Sequence, residues 1–295
     1  MDHLDRYRRI IPDYPLFCEA MIQPLPVCVR INSLKTSADD LMSRLDRARL
    51  SYRRLGWYRW GLRLDGIRPG LLIEHLMGHI HPQEESSMIP PLVLDPQPGE
   101  KVLDLCASPG SKTTQIAQMM ENDGLLVAND PSPGRIVALR ANCERLGAAN
   151  VVVTRCDGRA FPRYEFDRVL VDAPCSGEGM ARKDLSVLKR CNLKRSLGLQ
   201  RLQQALLGRA VDLTRRGGVI VYSTCTYAPE ENEAVVESVL DRVRLIDVDI
   251  PGLARSHGLD AWDGNEFGDS MGLCARYYPH HNDTGGFFVA KLIKR

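Results

Sequence analysis

No two of the nine cysteines in this 295-residue sequence stand at C-x-x-C spacing, and their number is odd. A disulfide framework and a zinc knuckle are therefore not expected, and reduced thiols are the default. No apolar run approaches the roughly 20 residues of a membrane-spanning helix. The opening "MDHLDRYRRI" carries charges but no apolar signal core after them, so a cytoplasmic protein is expected. The dinucleotide fingerprint G-x-G-x-x-G and the complete phosphate loop G-x-x-x-x-G-K-[ST] are both missing. So are internal repeats and low-complexity linkers. What remains is ordinary globular composition, 44% hydrophobic and 26% charged, enough for one large domain and a smaller one.

The net charge is only +2, yet charge is unevenly placed. Arg44 to Arg68 holds eight arginines against Asp46 and Asp65. Arg182 to Arg216 holds ten Lys/Arg against Asp184 and Asp212. Glu230 to Asp269 carries eleven acids and three arginines. Two basic segments are either solvated helix faces or the footprint of phosphate binding.

"PLPVCVRINSLKTSADDLMSRL" reads as a strand over Val27–Ile31, a turn, and a helix from Ser37 to Arg47 capped by Ser37 or Thr36. "LSYRRLGWYRWGLRL" reads as further strands, which completes a small α+β domain over residues 1–84. The proline-rich "SSMIPPLVLDPQPGE" marks the junction, with a short helix at Ser87–Leu94. From there residues 85–295 form a second domain with a different rhythm. "KVLDLCA", "GLLVAND", "NVVVTRCD", "FDRVLVDAP" and "VIVYSTC" are short apolar strands. They alternate with the helices "SKTTQIAQMM", "PGRIVALRANCERLG" and "LQRLQQALLGRAVDLTRRGG", the last ended by glycine. The helix "PEENEAVVESVLDRV" follows, then the strands "LIDVDI" and "GGFFVAKLIKR". This is the pattern of an α/β protein with a doubly wound, mostly parallel sheet covered on both faces. Ligands bind such sheets at the carboxyl ends of the strands. The alternation places Asp104, Asp130, Asp157, Asp172 and Cys225 at one rim.

"DLCASPGSKT" opens the first strand–helix turn. Gly110, with Ser108 and Pro109, makes a tight turn where backbone can approach a ligand. The helix start and Lys112 suit a carboxylate. Asp130 suits the two hydroxyls of a ribose, and Asp157 an exocyclic amine. A carboxylate-bearing adenosine, S-adenosylmethionine, fits this set. Taken singly, each acid is equally a turn or cap residue. The assigned cofactor residues are Cys106, Ala107, Ser108, Pro109, Gly110, Lys112, Asp130, Arg135, Asp157 and Asp172. Within that set Cys106 reads as a small packing residue.

Two thiols sit at strand ends, Cys175 in "DAPCSGEG" and Cys225 in "STCTY". A pyrimidine carbon 5 becomes nucleophilic once a thiolate adds to carbon 6, which divides one hard step into two easier ones. An acid must meet charge at ring nitrogen 3, and a base must remove the carbon 5 proton before the thiol is released. Spacing alone does not say which cysteine attacks.

"DAPCSGEGM" and "STCTYAPEENE" resemble the paired cysteine motifs of the RNA cytosine-5 methyltransferases, the Nol/Nop/Sun-domain group. "LDLCASPGSKTTQIA", "RINSLK", "PQEESSMIPPLVL" and "RYYPHHNDTGGFFVAKL" are similar to that family as well, so the resemblance runs through nearly the whole chain. It implies a Rossmann-like methyltransferase sheet with its last strand antiparallel, preceded by a small domain related to RNA-recognition modules. By motif, it implies Cys225 as nucleophile and Cys175 as the thiol that aids release. Asp172 would bond the cytosine edge, with Lys112 near the cofactor and the base; these four are the assigned catalytic residues. Cys18, Cys28, Cys143, Cys156, Cys191 and Cys274 are read as packing residues.

The target base must leave its stack, which favours irregular sites in structured RNA. The basic segment from Arg182 directly follows the first cysteine motif and is placed to hold phosphates beside that base. The short flanks resemble the archaeal-type tRNA enzymes, so tRNA is the expected partner of a monomeric enzyme that meets no membrane and needs no metal. Ribosomal RNA is the alternative substrate. An inactive RNA-binding or assembly protein is disfavoured, since both cysteines, Asp172 and the cofactor acids are present.

Overall fold

The computed structural model describes residues 2–295. Its first sheet is antiparallel, in the order β2-β3-β1-β4. The strands are β1 (Val27–Ile31), β2 (Tyr52–Arg54), β3 (Gly61–Leu64) and β4 (Ile80–Pro82). Helix α2 (Ala38–Arg47) buries Leu41 and Leu45 against Val29, Ile31, Leu62 and Leu64. It begins where the sequence predicts, because the Ser37 hydroxyl accepts from the Asp40 backbone N–H at 3.0 Å. Helix α1 (Tyr14–Met21) does not join this small core. Together with Leu4 and Tyr7 it packs on Ala181, Tyr227, Ala228 and Tyr278, far along the chain. The four-residue helix α3 (Ile73–Leu76) and helix α4 (Ile89–Leu94) lead onward.

The second sheet contains parallel strands β5 (Lys101–Asp104), β6 (Leu125–Asn129), β7 (Val151–Thr154), β8 (Phe166–Asp172) and β9 (Thr214–Thr224). Antiparallel β10 (Val243–Ile246), β11 (Ser256–His257), β14 (Ala275–Tyr277) and β15 (Phe287–Lys294) extend it. A separate hairpin joins β12 (Ala261–Trp262) to β13 (Asn265–Glu266). The main path runs β7-β6-β5-β8-β9-β15-β14-β11. Strand order reverses between β5 and β8, which opens a crevice at the carboxyl ends there.

Side chains alternate across the sheet with period two. Leu103, Val169 and Ile220 face one core, shared with helix α7 (Leu193–Leu213) and α8 (Glu233–Glu237). Their neighbours Val102, Leu170 and Val221 face the other, shared with α4 and helix α5 (Ser111–Met119). Both faces are thus covered, which is why the strands read as nearly unbroken apolar runs. Helix α6 (Pro133–Leu146) closes the β6 side, and the short α9 (Pro279–Asn282) precedes the last strand. Fully buried Arg30 ties the two sheets together, donating to Gln83 at 2.9 Å and to Thr114 of α5 at 2.8 Å.

Two of the expected helices differ from the sequence reading. The helix expected over residues 199–218 begins earlier, at Leu193, where the Asn192 side chain accepts from the Arg195 N–H. It ends at Leu213, and Gly217 and Gly218 lie inside β9, beside a register shift against β8. The glycines serve an irregular strand start, not a helix end. The helix expected over residues 229–243 shrinks to Glu233–Glu237. Its first residues are drawn into tertiary bonds: Glu231 to the Ser176 N–H, Asn232 to Thr224 and Thr226, and Glu233 to Arg276. These partners outweigh local helix propensity.

Candidate active site

The site forms where β8 and β9 end side by side. Their register sets Asp172 against Ser223, so Cys175 and Cys225 leave the sheet together. The two sulfurs stand 3.3 Å apart. Neither cysteine is bonded covalently, and both are half-buried.

The loops that carry them are lashed to each other. The Gly179 N–H donates to the Cys225 carbonyl at 2.9 Å. The Ser176 and Thr226 hydroxyls are bonded at 2.7 Å. The Ser176 N–H donates to Glu231 at 2.9 Å, and Gln203 donates to the same oxygen. Buried Glu178 accepts from Thr226 at 2.9 Å and from the Tyr7 hydroxyl on both its oxygens. Glycine is required at 179, because a Cβ would lie 2.1 Å from the Gly286 carbonyl oxygen of the facing chain.

The hydrogen bond shared with Cys225, followed by burial, holds the Cys175 thiol well above the ordinary thiol range. Cys175 therefore keeps its proton. Asp172 accepts from Lys112 Nζ at 2.7 Å on one oxygen and from the Ser223 hydroxyl at 2.9 Å on the other. Burial pulls the Lys112 ammonium down, but Asp172 and then Cys225 push it up, and the net direction is up. Lys112 therefore stays charged. Its Nζ also donates to Ser87 at 3.1 Å and lies 5.4 Å from the centre of the Phe287 ring.

A cleft of about 90 Å³ opens beside this pair, lined by Cys106, Ala107, Ser108, Pro109, Lys112 and Asp172, with Ser87, Asp104 and Ser111. Two buried oxygens in it, Asp104 Oδ1 and Ser108 Oγ, have no hydrogen-bond partner. Burial raises the Asp104 carboxyl to about 7, against the restraining bond from Thr113. An unpartnered carboxylate oxygen beside a hydroxyl suits a cationic or N–H-bearing ligand group. The charged Lys112 suits a carboxylate. The residues present therefore fit the amino-acid end of S-adenosylmethionine.

The remaining cofactor assignments lie at different distances from this cleft. Asp130 is buried; one oxygen accepts from the Ser132 N–H and the other pairs with Arg135 at 3.3 Å. Arg135 donates to the Ser108 carbonyl at 2.6 Å, which joins the Asp130 turn to the cleft. Asp157 lies outside the cleft; Arg159 engages its half-exposed carboxylate at 2.5 Å. Gly110 has φ +102°, and a Cβ there would lie 2.9 Å from Leu139 of α6. The left-handed backbone, with close packing on Leu139 beside it, accounts for glycine at this position.

Sequence reasoning passed over Glu178, Glu231 and Ser223. Acids inside "CSGEG" and "PEENE" were the available signal, since a carboxylate in an otherwise apolar or small-residue motif must find buried partners. His3, Glu178 and Cys191 bring nitrogen, oxygen and sulfur within 4.8 Å of one another. Hydrogen bonds already occupy both Glu178 oxygens, so this group is a structural hub. Of the other cysteines, Cys28, Cys143 and Cys274 sit in apolar cores as expected of packing residues.

The second basic segment divides in two. Arg182 is buried on the Gln23, Pro24 and Thr284 carbonyls, Arg209 bonds the Phe161 carbonyl, and Arg215 pairs with Asp167. Lys183, Lys189, Arg190, Lys194, Arg195, Arg201 and Arg216 are exposed. No described helix is long and apolar enough to cross a membrane.

Comparison with known proteins gives a consistent picture. Residues 91–293 match the model of the 16S rRNA methyltransferase RsmB/F family, and residues 4–69 match its ferredoxin-like domain. The chain is 40% identical to a tRNA (cytosine(49)-C(5))-methyltransferase of Pyrococcus abyssi, over 99% of this chain and 95% of that protein. It is 39% identical to the 25S rRNA (cytosine-C(5))-methyltransferase nop2 of Schizosaccharomyces pombe, over 94% of this chain but 48% of that protein, so it spans about half of that relative's length. The crystal structure of NSun6 from Pyrococcus horikoshii with SFG, an S-adenosylmethionine analogue, superposes with a TM-score of 0.85 at 25% identity. That superposition covers 99% of this chain and 97% of the other.

Proposed function

We propose, from the premise that this chain belongs to the RsmB/F family and is an RNA cytosine-5 methyltransferase, that it methylates tRNA through a covalent cysteine–cytosine intermediate. The observation that carries the covalent reading is the pair of sulfurs 3.3 Å apart beside the Lys112–Asp172 ion pair. The tRNA reading is supported by similarity over nearly the full length of the P. abyssi tRNA enzyme. The family model is described for 16S rRNA and the nop2 relative for 25S rRNA, so ribosomal RNA is the second reading.

In this proposal Cys225 adds to carbon 6 of the flipped base, its proton passing to ring nitrogen 3, while Cys175 keeps its own proton through this step. Asp172 accepts from the cytosine amine while Lys112 holds that carboxylate in place. S-adenosylmethionine, when bound, supplies the methyl group to carbon 5. Cys175 then gives its own proton to solvent and, as a thiolate, takes the carbon 5 proton; the carbon 6–sulfur bond breaks with its electron pair returning to Cys225, which regains the ring nitrogen 3 proton. Lys112, Asp104 and the Cys106–Gly110 turn hold the amino-acid end of the cofactor, and Asp130 its ribose. Asp157 meets the adenine amine only if Arg159 releases it.

The division into residues 1–84, which hold RNA, and 85–295, which hold cofactor and base, belongs to the same proposal. So does the cytoplasmic, monomeric state. Incubation with labelled cofactor and total RNA, followed by mapping of 5-methylcytosine, tests the substrate. Label in tRNA is expected. Label confined to rRNA would replace the first reading by the second.

A further inference from the structure

A cavity of about 780 Å³ between the amino-terminal turn, the start of α7 and the β12–β13 hairpin plays no part in the proposed chemistry. His3 contributes to its lining and reaches Glu178 at 2.6 Å, so one side chain separates the cavity from the lashed cysteine loops. Arg6 and Arg9 of the amino-terminal turn form one wall. Asn192 and Leu193, where α7 begins, form another, and Trp262 with the Asp263–Gly264 hairpin tip a third.

The lining chemistry is specific. Trp262 is held in place: its indole N–H donates to Glu230 at 2.9 Å, and the Arg6 guanidinium lies 5.5 Å from its ring centre. Arg6 pairs with the same Glu230, so those two charges offset each other. Arg9 is exposed and makes no ion pair among the described residues. Leu193 is 44% exposed. Exposed Lys189, Arg190, Lys194 and Arg195 flank Asn192 and Leu193 in sequence. Asp263 repels a phosphate from the hairpin wall and leaves the Arg9 side for it. An oriented indole, an apolar side chain and an exposed guanidinium together suit one unstacked nucleotide.

We propose that this cavity receives the RNA nucleotide next to the target cytosine, with its base on Trp262 and its phosphate at Arg9. Extruding a cytosine strips its neighbour of a stacking partner. Trp262 replaces that partner and so offsets part of the cost of flipping. The proposal rests on the RNA reading given above and adds a subsite to it.

The test uses the full chain with bulk tRNA, saturating cofactor, and the variants Trp262→Ala, Trp262→Phe and Arg9→Glu. Trp262→Ala is expected to raise the RNA KM about tenfold or more, and Trp262→Phe much less, because a phenyl ring still stacks. Arg9→Glu should weaken RNA binding and lower the salt slope by about 1. Cofactor affinity should stay unchanged in all three. The sequence has only three tryptophans, so quenching of Trp262 by tRNA should appear as fluorescence that wild type loses and Trp262→Phe keeps. Arg9 is exposed, so its variant remains informative even if Trp262→Ala unfolds. Wild-type methylation with unchanged KM and salt slope in Arg9→Glu, together with equal quenching in wild type and Trp262→Phe, would overturn the subsite alone. A wild-type protein that methylates no RNA would overturn the underlying reading and the subsite with it.

Discussion

Cys175 and Cys225 are separated by 50 positions in sequence, yet their sulfurs lie 3.3 Å apart. Pairing of Asp172 with Ser223 places them there, and the Ser176–Thr226 and Gly179–Cys225 bonds hold the loops fixed. A free thiol is only a few per cent ionised near pH 7. Cys225→Ala should abolish transfer and form no covalent RNA adduct. Cys175→Ala should methylate but release slowly, so an adduct should build up on denaturing gels. An adduct from Cys225→Ala and none from Cys175→Ala would reverse the two roles.

Asp130→Ala should weaken S-adenosylmethionine binding by about 1–3 kcal/mol, the usual loss when hydrogen bonds to a charged group are removed. Arg135 would lose its ion-pair partner as well. Calorimetry on a variant with a wild-type melting curve checks this. Unchanged affinity would remove Asp130 from the ribose.

Reversing charge at Arg190, Lys194 and Arg195 should weaken RNA binding and flatten its salt dependence, because fewer counterions are released. These three side chains are exposed, unlike Arg182, whose replacement by Glu should lower stability. Filter binding from low to high salt reads the slope. An unchanged slope would make the exposed set a solvated face.

Asp104 links stability to pH. Burial raises its carboxyl to about 7 in the folded protein. The native state therefore binds the extra proton between the unfolded value, about 4, and about 7. The stability this contributes is fully present below about pH 4 and is lost as pH rises through 7, at up to about 1.4 kcal/mol per unit. Asp104→Asn should flatten that fall in urea titrations between pH 5 and 8. A cofactor ammonium at Asp104 should also release a proton on binding near pH 6. Calorimetry in buffers of different ionisation enthalpy would detect it, and no proton release would place the ammonium elsewhere.

The sequence by itself determined the alternation of apolar strands and amphipathic helices, the rim of strand-end acids and thiols, and the cap at Ser37. These are properties of local pattern: period two or 3.6, turn residues, and motif spacing. The tertiary structure alone decided how far each element ran. Glu231, Asn232 and Glu233 gave up helix for buried partners on distant strands. It decided that Gly110 answers to Leu139, and that Arg159 occupies Asp157. It also sorted one basic run into side chains bonded within the protein and exposed cations. Each of these outcomes depends on which group lies across the chain from another. A buried polar group must take whatever partner the fold brings to it, and one-dimensional spacing carries no record of that partner.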